Sequence, residues 1–201
     1  YFDQYVNLRP AFSLPKVHTP VDLQGTKMDS VVVRENTEDL YMCIGGTTET
    51  GELELPVEVS RGRYELKGRM SLKTDPACPF AVQAAINSRL GVERITRYAC
   101  ELAKKRDEDT VTVVSKSNAV SALYGFFEEN AKRVMADEYP ELKYAMVNVD
   151  ALCYHLVRNP AAYGVLLCPN LFGDIISDLQ AGLAGGLGTA AGGNIGDGLS
   201  M

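Results

Sequence analysis

Two aspartates lie one helical turn apart near the end of the chain, in an otherwise apolar segment. The segment runs Asn170-Leu171-Phe172-Gly173-Asp174-Ile175-Ile176-Ser177-Asp178. Side chains four residues apart share one face of a helix, with Cβ atoms about 5–6 Å apart, so two carboxylates there repel each other. A divalent cation held between them would convert that repulsion into attraction. Asp174 and Asp178 are therefore candidate ligands of Mg²⁺ or Mn²⁺, and the alternative is a solvated pair on a surface helix.

Other residues with useful chemistry stand where strands or helices are predicted to end. They are Arg9, Arg34, Tyr41, Lys116, Asn118 and Asp150. α/β enzymes place their sites at such ends. Each residue also has an ordinary structural explanation: a loop arginine is often ion-paired, a tyrosine packs, and Asp150 could cap a helix over Ala151–Arg158.

The combination indicates one kind of chemistry. Arginines bind carboxylates through two parallel hydrogen bonds, aspartates hold Mg²⁺ or Mn²⁺, a lysine can act as a base, and a tyrosine can donate a proton. This set suits a metal-bound hydroxy acid as the substrate. The chain has two histidines and none of the G-x-S-x-G, H-E-x-x-H or P-loop motifs, so serine hydrolases, zinc proteases and nucleotide hydrolases have no support.

Composition narrows the class of partners. The chain has 201 residues, 46% hydrophobic and 23% charged, with a net charge of −6 and a pI near 5.0, so neither nucleic acid nor a membrane is a predicted partner. Its five cysteines form no C-x-x-C pair, which favours free thiols in a reducing compartment, the cytoplasm or the mitochondrial matrix. Because the sequence starts at Tyr1 without a methionine, we expect a cut chain.

The hydrophobic pattern predicts an α/β fold with a mixed or parallel sheet. Predicted strands cover Ser30–Val33, Thr110–Val114, Leu142–Val149 and Gly164–Leu167. Helical stripes comprise Val92, Ile95, Ala99 and Leu102 in one segment, and Leu123, Phe127 and Val134 in a second that ends at Pro140.

Two further segments have a distinct character. Residues 45–73 carry short alternations that predict a hairpin, interpreted as a projecting oligomerisation arm, with a long exposed loop as the alternative. The glycine-rich stretch Gly182–Gly198 contains no complete dinucleotide fingerprint, so we interpret it as a hinge or an interdomain crossing.

Several motifs, taken in order along the chain, resemble the β-decarboxylating dehydrogenases, the family of isocitrate, 3-isopropylmalate, homoisocitrate and tartrate/D-malate dehydrogenases. The matching segments are Asn7-Leu8-Arg9-Pro10, Val33-Arg34-Glu35-Asn36-Thr37-Glu38, Arg94-Ile95-Thr96-Arg97-Tyr98-Ala99, Lys116-Ser117-Asn118, Asp150, Pro169–Asp178, Gly185-Gly186-Leu187-Gly188 and Asn194-Ile195-Gly196-Asp197. They cover essentially the whole chain.

The resemblance implies a fold and a domain arrangement. It implies the isocitrate/isopropylmalate dehydrogenase-like fold, represented mostly by its smaller, dimer-forming domain over residues 1–184. Residues 185–201 would cross into a larger cofactor domain that is largely missing. The family's upstream glycine turn and its downstream His-Gly loop are both absent, so this chain alone is expected to be inactive.

The resemblance also implies residue roles. Arg9 and Arg34 would bind substrate carboxylates, Lys116 would be the base and Tyr41 the acid, and Asn118 would lie near the nicotinamide ribose of NAD or NADP. The metal, Mg²⁺ or Mn²⁺, would be held by Asp174 and Asp178 with Asp150. Lys116 and Asp150 would act across the interface of a homodimer with shared active sites, and the predicted Ser117–Ala136 helix would pack in that interface.

The implied reaction is the metal-dependent oxidative decarboxylation of a 2-hydroxy acid that carries a 3-carboxylate, with hydride transfer to NAD(P). The segment Arg34–Asp39 resembles the isocitrate, homoisocitrate and tartrate branches more than the 3-isopropylmalate branch, and Tyr1–Pro10 resembles the tartrate/D-malate branch. We rank isocitrate first, tartrate or D-malate second and 3-isopropylmalate third. A non-catalytic dimerising subunit or fragment of the family is the alternative from another functional class.

Overall fold

The computed structural model of the protein describes residues 3–23, 25–61, 64–186, 188 and 190–197. The strands are β1 (Val6–Phe12), β2 (Asp29–Glu35), β3 (Asp39–Thr48), β4 (Glu52–Arg61), β5 (Tyr64–Lys73), β6 (Phe80–Ile86), β7 (Thr110–Ser115), β8 (Lys143–Asn148), β9 (Val165–Cys168) and β10 (Gly193–Ile195). The α-helices are α1 (Arg89–Lys105), α2 (Phe126–Glu138), α3 (Val149–Arg158) and α4 (Asn170–Ala184). A π-helical turn covers Ser121–Gly125 and a 3-10 turn covers Pro160–Ala162.

The main sheet has six strands in the order β10-β1-β2-β9-β7-β8. Strands β2, β9, β7 and β8 run parallel, and β1 pairs antiparallel with both β2 and β10. Strands β2, β7, β8 and β9 lie where the hydrophobic runs predict them, so the expected mixed α/β sheet is confirmed. The predicted third strand is one residue too long at each end, because β8 begins at Lys143 and Val149 already begins α3.

Helices cover both faces of this sheet, and alternate residues of each buried strand serve the two layers. Val31, Val33, Val111, Val113 and Leu167 face α1 and α2, with Val92, Ile95 and Ala99 of α1 fully buried against them. Val32, Val114 and Leu166 face α3 and α4. The central strands β2, β7 and β9 are therefore covered on both faces, which explains their runs of consecutive apolar residues.

The segment predicted as one interface helix over Ser117–Ala136 has another structure. Residues 116–120 form a turn, a π-helical turn covers Ser121–Gly125, and only then does α2 begin. Tyr124 is 4% exposed and Phe127 1% exposed, both inside the chain's own core. These two aromatic side chains thus pack within the chain, and the contact of this segment with a second copy stays a prediction.

Residues 45–73 form a hairpin, as predicted. Strands β4 and β5 pair in an unbroken antiparallel register, and β3 pairs with β6. Leu55, Val57 and Val59 of β4 pack with Ile44 of β3, so this unit has a small hydrophobic core of its own. The alternative of a long exposed loop is excluded, and Gly62 and Arg63 at the hairpin tip lie outside the described residues.

The glycine-rich tail returns to the main sheet. Strand β10 pairs with β1, with Asn7 opposite Asn194, and the two side chains share a hydrogen bond of 2.7 Å. Residues 193–195, predicted to cross into another domain, are therefore an edge strand of this sheet. Residues 187, 189 and 198–201 of the predicted crossing lie outside the described residues. In the described part of the chain, no helix is long and apolar enough to cross a membrane.

Candidate active site

The candidate residues collect at one edge of the main sheet. Strands β2, β9, β7 and β8 are parallel, so their carboxyl ends meet at the same edge. Arg34 lies at the end of β2, Lys116 follows β7, and Asp150 follows β8. Helix α4, which carries Asp174 and Asp178, begins directly after β9. This is the edge at which open α/β sheets bind ligands.

Asp174 is the centre of the first group of side chains. Its Oδ1 accepts a hydrogen bond from the Arg34 guanidinium, and its Oδ2 accepts one from the Tyr41 hydroxyl. The guanidinium also lies over the Tyr41 ring, 5.0 Å from its centroid. The bond to Asp174 raises the pKa of Tyr41, so the phenol stays protonated at neutral pH. Arg34 and Tyr41 thus compensate the charge of a carboxylate that is still 39% exposed.

Arg34 reaches Asp174 by passing directly over the backbone of α4 at Gly173. A Cβ atom at Gly173 would lie 2.5 Å from Cγ and 2.6 Å from Cβ of Arg34, so only glycine fits. Asn170 fixes the guanidinium from the side: its Oδ1 accepts from Arg34 Nε at 2.8 Å, and its Nδ2 donates to Glu38 O at 3.1 Å. Arg34 is consequently only 7% exposed.

The first turn of α4 is capped from outside the helix. Its N-cap residue, Pro169, provides no side-chain hydrogen bond. Instead, Asp39 Oδ2 accepts from Leu171 N at 3.0 Å, and Asp39 Oδ1 accepts from the Tyr124 hydroxyl at 3.4 Å. Burial raises the pKa of Asp39. Sequence analysis did not identify Asp39, Asn170 or Gly173 as functional, although all three lie within or beside the matching motifs.

Two buried glutamates hold the turn that follows Arg34. Glu35 accepts hydrogen bonds from Thr37 N, Thr37 Oγ1 and Glu38 N at 2.9, 2.6 and 2.7 Å. Burial raises the pKa of Glu35 to about 7. Glu38 accepts from Tyr64 of the hairpin and from Ser88 at the start of α1, at 2.7 and 2.5 Å. The turn therefore connects the main sheet, the hairpin and α1.

Arg9 lies on the same face of the sheet as Arg34. Strand register places Arg9 opposite Val32 and Arg34 opposite Asn7, so the two arginines are diagonal neighbours on adjacent strands. Arg9 Nε donates to Asn7 Oδ1 at 2.8 Å. The two predicted carboxylate-binding side chains therefore share one face and one region of the sheet.

Lys116 and Asp150 form a second group. Lys116 Nζ donates to Asp150 Oδ1 at 2.7 Å, and this bond lowers the pKa of Asp150. Asp150 lies in the first turn of α3, whose N-cap is Asn148, so the structure corrects the interpretation of Asp150 as the cap. Asn118 lies exposed in the turn after Lys116. Among the described residues, no hydrogen bond or ion pair connects this group to Arg34, Tyr41 or Asp174.

The residues present fit a divalent cation on α4. Asp174 and Asp178 offer hard oxygen donors on one helix face, and Asp178 is exposed, with no hydrogen bond or ion pair to another described residue. Arg34 already places a positive charge beside Asp174. Within the described part of one chain, no three acidic, cysteine or histidine side chains converge, so Asp150 does not join the pair on α4. Further ligands must come from elsewhere, such as substrate, water or a second copy.

Comparison with known proteins identifies the family of the chain. A family model described as isocitrate/isopropylmalate dehydrogenase matches residues 1–201. The chain is 39% identical to 3-isopropylmalate dehydrogenase of Clavibacter sepedonicus, over 96% of this chain and 47% of that protein. It is 35% identical to decarboxylating D-malate dehydrogenase of Escherichia coli, again over 96% and 47%.

Among solved structures, isocitrate dehydrogenase from Methylococcus capsulatus superposes with a TM-score of 0.79 at 35% identity, covering 98% of this chain and 50% of that one. The chain thus spans about half the length of the relatives it matches. The family model covers the chain from end to end, and the motif residues Arg34, Lys116 and Asp174 lie at or just beyond the carboxyl ends of the parallel strands. The chain belongs to the isocitrate/isopropylmalate dehydrogenase family.

Proposed function

We propose that this chain is the substrate-binding and metal-binding part of an enzyme that oxidises and decarboxylates a 2-hydroxy acid bearing a 3-carboxylate, with hydride transfer to NAD or NADP. The observation that carries the proposal is the group formed by Arg34, Tyr41 and Asp174. It joins a carboxylate-binding cation, a protonated phenol and a candidate metal ligand within hydrogen-bonding distance of one another.

Each residue then has a defined task. Arg9 and Arg34 bind and orient the substrate carboxylates, since a guanidinium matches the geometry of a carboxylate. Lys116 takes the proton from the substrate hydroxyl, and Tyr41 returns a proton to the carbon from which CO₂ has left. A tyrosine phenol, with an ordinary pKa of about 10, carries this proton at neutral pH.

Asp174 and Asp178 would hold the divalent cation, Mg²⁺ or Mn²⁺, with Asp150 from a second copy of the chain. A bound cation would supply electrostatic stabilisation of the charge that develops on the substrate oxygens. Asn118, exposed in the turn after Lys116, is the residue of this chain that we assign to the nicotinamide ribose.

A homodimer is part of the proposal. Lys116 and Asp150 form a group separate from Arg34 and Asp174, which suits a site completed by the neighbouring copy. Helix α3 exposes Tyr154 and Val157, 60% and 49%, and α4 exposes Ile175, 51%. Contact between two copies through α3 and α4 would cover this apolar surface and bring Asp150 of one copy toward Asp174 of the other.

The comparisons favour a substrate other than the isocitrate ranked first from sequence. Several relatives are named 3-isopropylmalate dehydrogenase and are up to 40% identical, and the relative named decarboxylating D-malate dehydrogenase is 35% identical. We therefore propose a malate-type substrate, 3-isopropylmalate ahead of D-malate, with isocitrate after both.

The complete protein that carries this chain provides the test. With Mn²⁺ present, reduction of NAD and NADP is measured with 3-isopropylmalate, D-malate, tartrate and isocitrate as substrates. We expect the highest kcat/KM with 3-isopropylmalate. A higher value with isocitrate would overturn the substrate assignment, and no reduction with any of the four acids would favour a non-catalytic subunit.

Binding of Mn²⁺ tests the metal site separately. Asp174→Asn should weaken binding by about tenfold or more, because even residues that only support metal ligands are worth about 10- to 100-fold. Asp137→Asn, at an exposed position on α2, is the matched control and should leave the affinity unchanged. Equal affinities for the two variants in calorimetric titration would remove Asp174 from the metal site.

A further inference from the structure

The loop that presents Lys116 is held from both sides by one glutamate. Glu128 Oε2 accepts hydrogen bonds from Ser115 Oγ at 3.1 Å and from Ser117 Oγ at 2.8 Å. These two serines are the residues before and after Lys116 in the chain. Glu128 lies in the first turn of α2, so its position comes from a different element than the loop.

The rest of the loop is closed by its own backbone. Ser117 N donates to Ser115 Oγ at 3.1 Å. Lys116 O accepts from Ala119 N at 3.0 Å and from Val120 N at 2.9 Å. The backbone on each side of Lys116 is therefore fixed, and the lysine side chain extends from it to its 2.7 Å bond with Asp150.

The position of Glu128 follows from the packing of α2. Phe127, its neighbour in the chain, is 1% exposed in the core against α1 and the sheet. This buried ring anchors the first turn of α2, and Glu128 then points back to the carboxyl end of β7. A carboxylate accepts such bonds more strongly than a neutral group does.

We propose that Glu128 is a positioning residue for Lys116: it binds the hydroxyls of Ser115 and Ser117 and so fixes where the Lys116 ammonium is presented. The importance of Lys116 for the reaction rests on the proposed function. The positioning itself does not, because it concerns contacts within this chain. The competing explanation is that Glu128 only stabilises the N-terminal turn of α2 through the helix dipole.

Glu129 provides a matched control, because it has the same charge in the same first turn but is exposed and makes no bond to the loop. The variants are Glu128→Ala, Glu128→Gln, Ser117→Ala and Glu129→Ala. Acylation of Lys116 with limiting reagent is measured by mass spectrometry relative to Lys104 and Lys143 of the same molecule. Amide exchange at Ser117 is measured by NMR, and chemical denaturation reports global stability.

For Glu128→Ala we expect Lys116 acylation and Ser117 exchange to rise by about fivefold or more, the scale of one lost hydrogen bond. Glu128→Gln should return Lys116 acylation and Ser117 exchange most of the way to the values of the unchanged chain, because its amide oxygen can accept hydrogen bonds from both hydroxyls. Ser117→Ala should act in the same direction, and adding it to Glu128→Ala should change little more, since both remove the same bond. Glu129→Ala should leave Lys116 and Ser117 unchanged.

Equal Lys116 acylation and Ser117 exchange in the Glu128→Ala and Glu129→Ala variants would overturn the proposal. If Glu128→Ala fails to fold, Ser117→Ala decides by the same two measurements. In the complete protein, kcat should fall with Glu128→Ala and recover with Glu128→Gln. If the loop loosens as expected while kcat stays constant, the positioning role stands and the assignment of Lys116 as the base fails.

Discussion

Asp174 shows how one carboxylate can be stable on an apolar helix without a metal. Two hydrogen-bond donors, the Arg34 guanidinium and the Tyr41 hydroxyl, compensate its charge. Both donors are also the groups proposed to act on the substrate. A cation on Asp174 would compete with them for the same oxygens, so the residues that neutralise the carboxylate are the ones that metal binding would release toward the substrate.

Glu35 makes a prediction about pH at the scale of one residue. Burial raises its pKa from the ordinary 4.5 to about 7, so between these values the folded chain keeps a proton that the unfolded chain has lost. The contribution of this proton to the free energy of unfolding is therefore complete below pH 4.5 and disappears as the pH rises through about 7. Glu35→Gln mimics the protonated form, and its unfolding free energy should vary less with pH across this window.

Urea denaturation at several pH values measures this difference. Glu129→Gln, which changes an exposed glutamate, is the control and should retain the pH dependence of the unchanged chain. If Glu35→Gln and Glu129→Gln show the same slope of unfolding free energy against pH, Glu35 is not the group that takes up the proton.

At the scale of elements, α4 is positioned by residues from other parts of the chain. Asp39 binds the backbone of its first turn, Asn170 connects it to Arg34 and Glu38, and Gly173 lets Arg34 pass over it. The helix that carries Asp174 and Asp178 is thus fixed to the end of β2 by polar contacts as well as by its apolar face. A change at this contact should affect both the fold and the site.

Two glycines of α4 allow a matched comparison. Gly173→Ala places a Cβ 2.5 Å from Arg34 Cγ, so overpacking should destabilise the fold by about 1–3 kcal/mol and displace the guanidinium from Asp174. At Gly182 nothing lies within 4 Å of an added Cβ, and alanine there should stabilise the helix by about 0.5–1 kcal/mol. Chemical denaturation of both variants measures whether each substitution lowers or raises the free energy of unfolding. Destabilisation of equal size in both would show that a general effect of substitution in α4, and not the crossing of Arg34, explains the loss.

At the scale of the whole molecule, the candidate residues form two groups on one sheet edge beside an exposed apolar face. Tyr154 and Val157 lie three residues apart on α3, so they share a face. The hairpin exposes Leu66 and Leu72, 39% and 37%, and so offers a second surface for the predicted arm contact. Self-association through α3 and α4 would join the two groups into complete sites.

Val157→Glu tests that association. A charge buried in an apolar interface is costly, so we expect sedimentation velocity to show a shift from dimer to monomer. Leu90→Glu on α1, at a position with similar exposure of 46%, is the control and should leave the dimer intact. A dimer that persists with Val157→Glu would exclude the α3 face as the interface, and a hairpin substitution, Leu72→Glu, would then examine the arm.

The sequence by itself determined the α/β class, the four parallel strands, the hairpin and the family, because apolar periodicity and contiguous motifs are local properties of the chain. It also singled out Asp174, Arg34 and Tyr41 before any contact was known. The tertiary structure decided which of these side chains meet, since Arg34 and Asp174 are 140 residues apart in the chain. Only the tertiary structure revealed that Arg34 passes over Gly173, that Asp39 caps α4 and that Glu128 binds the two serines beside Lys116. It also buried Tyr124 and Phe127, two residues of the predicted interface helix, in the chain's own core, because a helical pattern specifies an apolar face but not the surface that covers it.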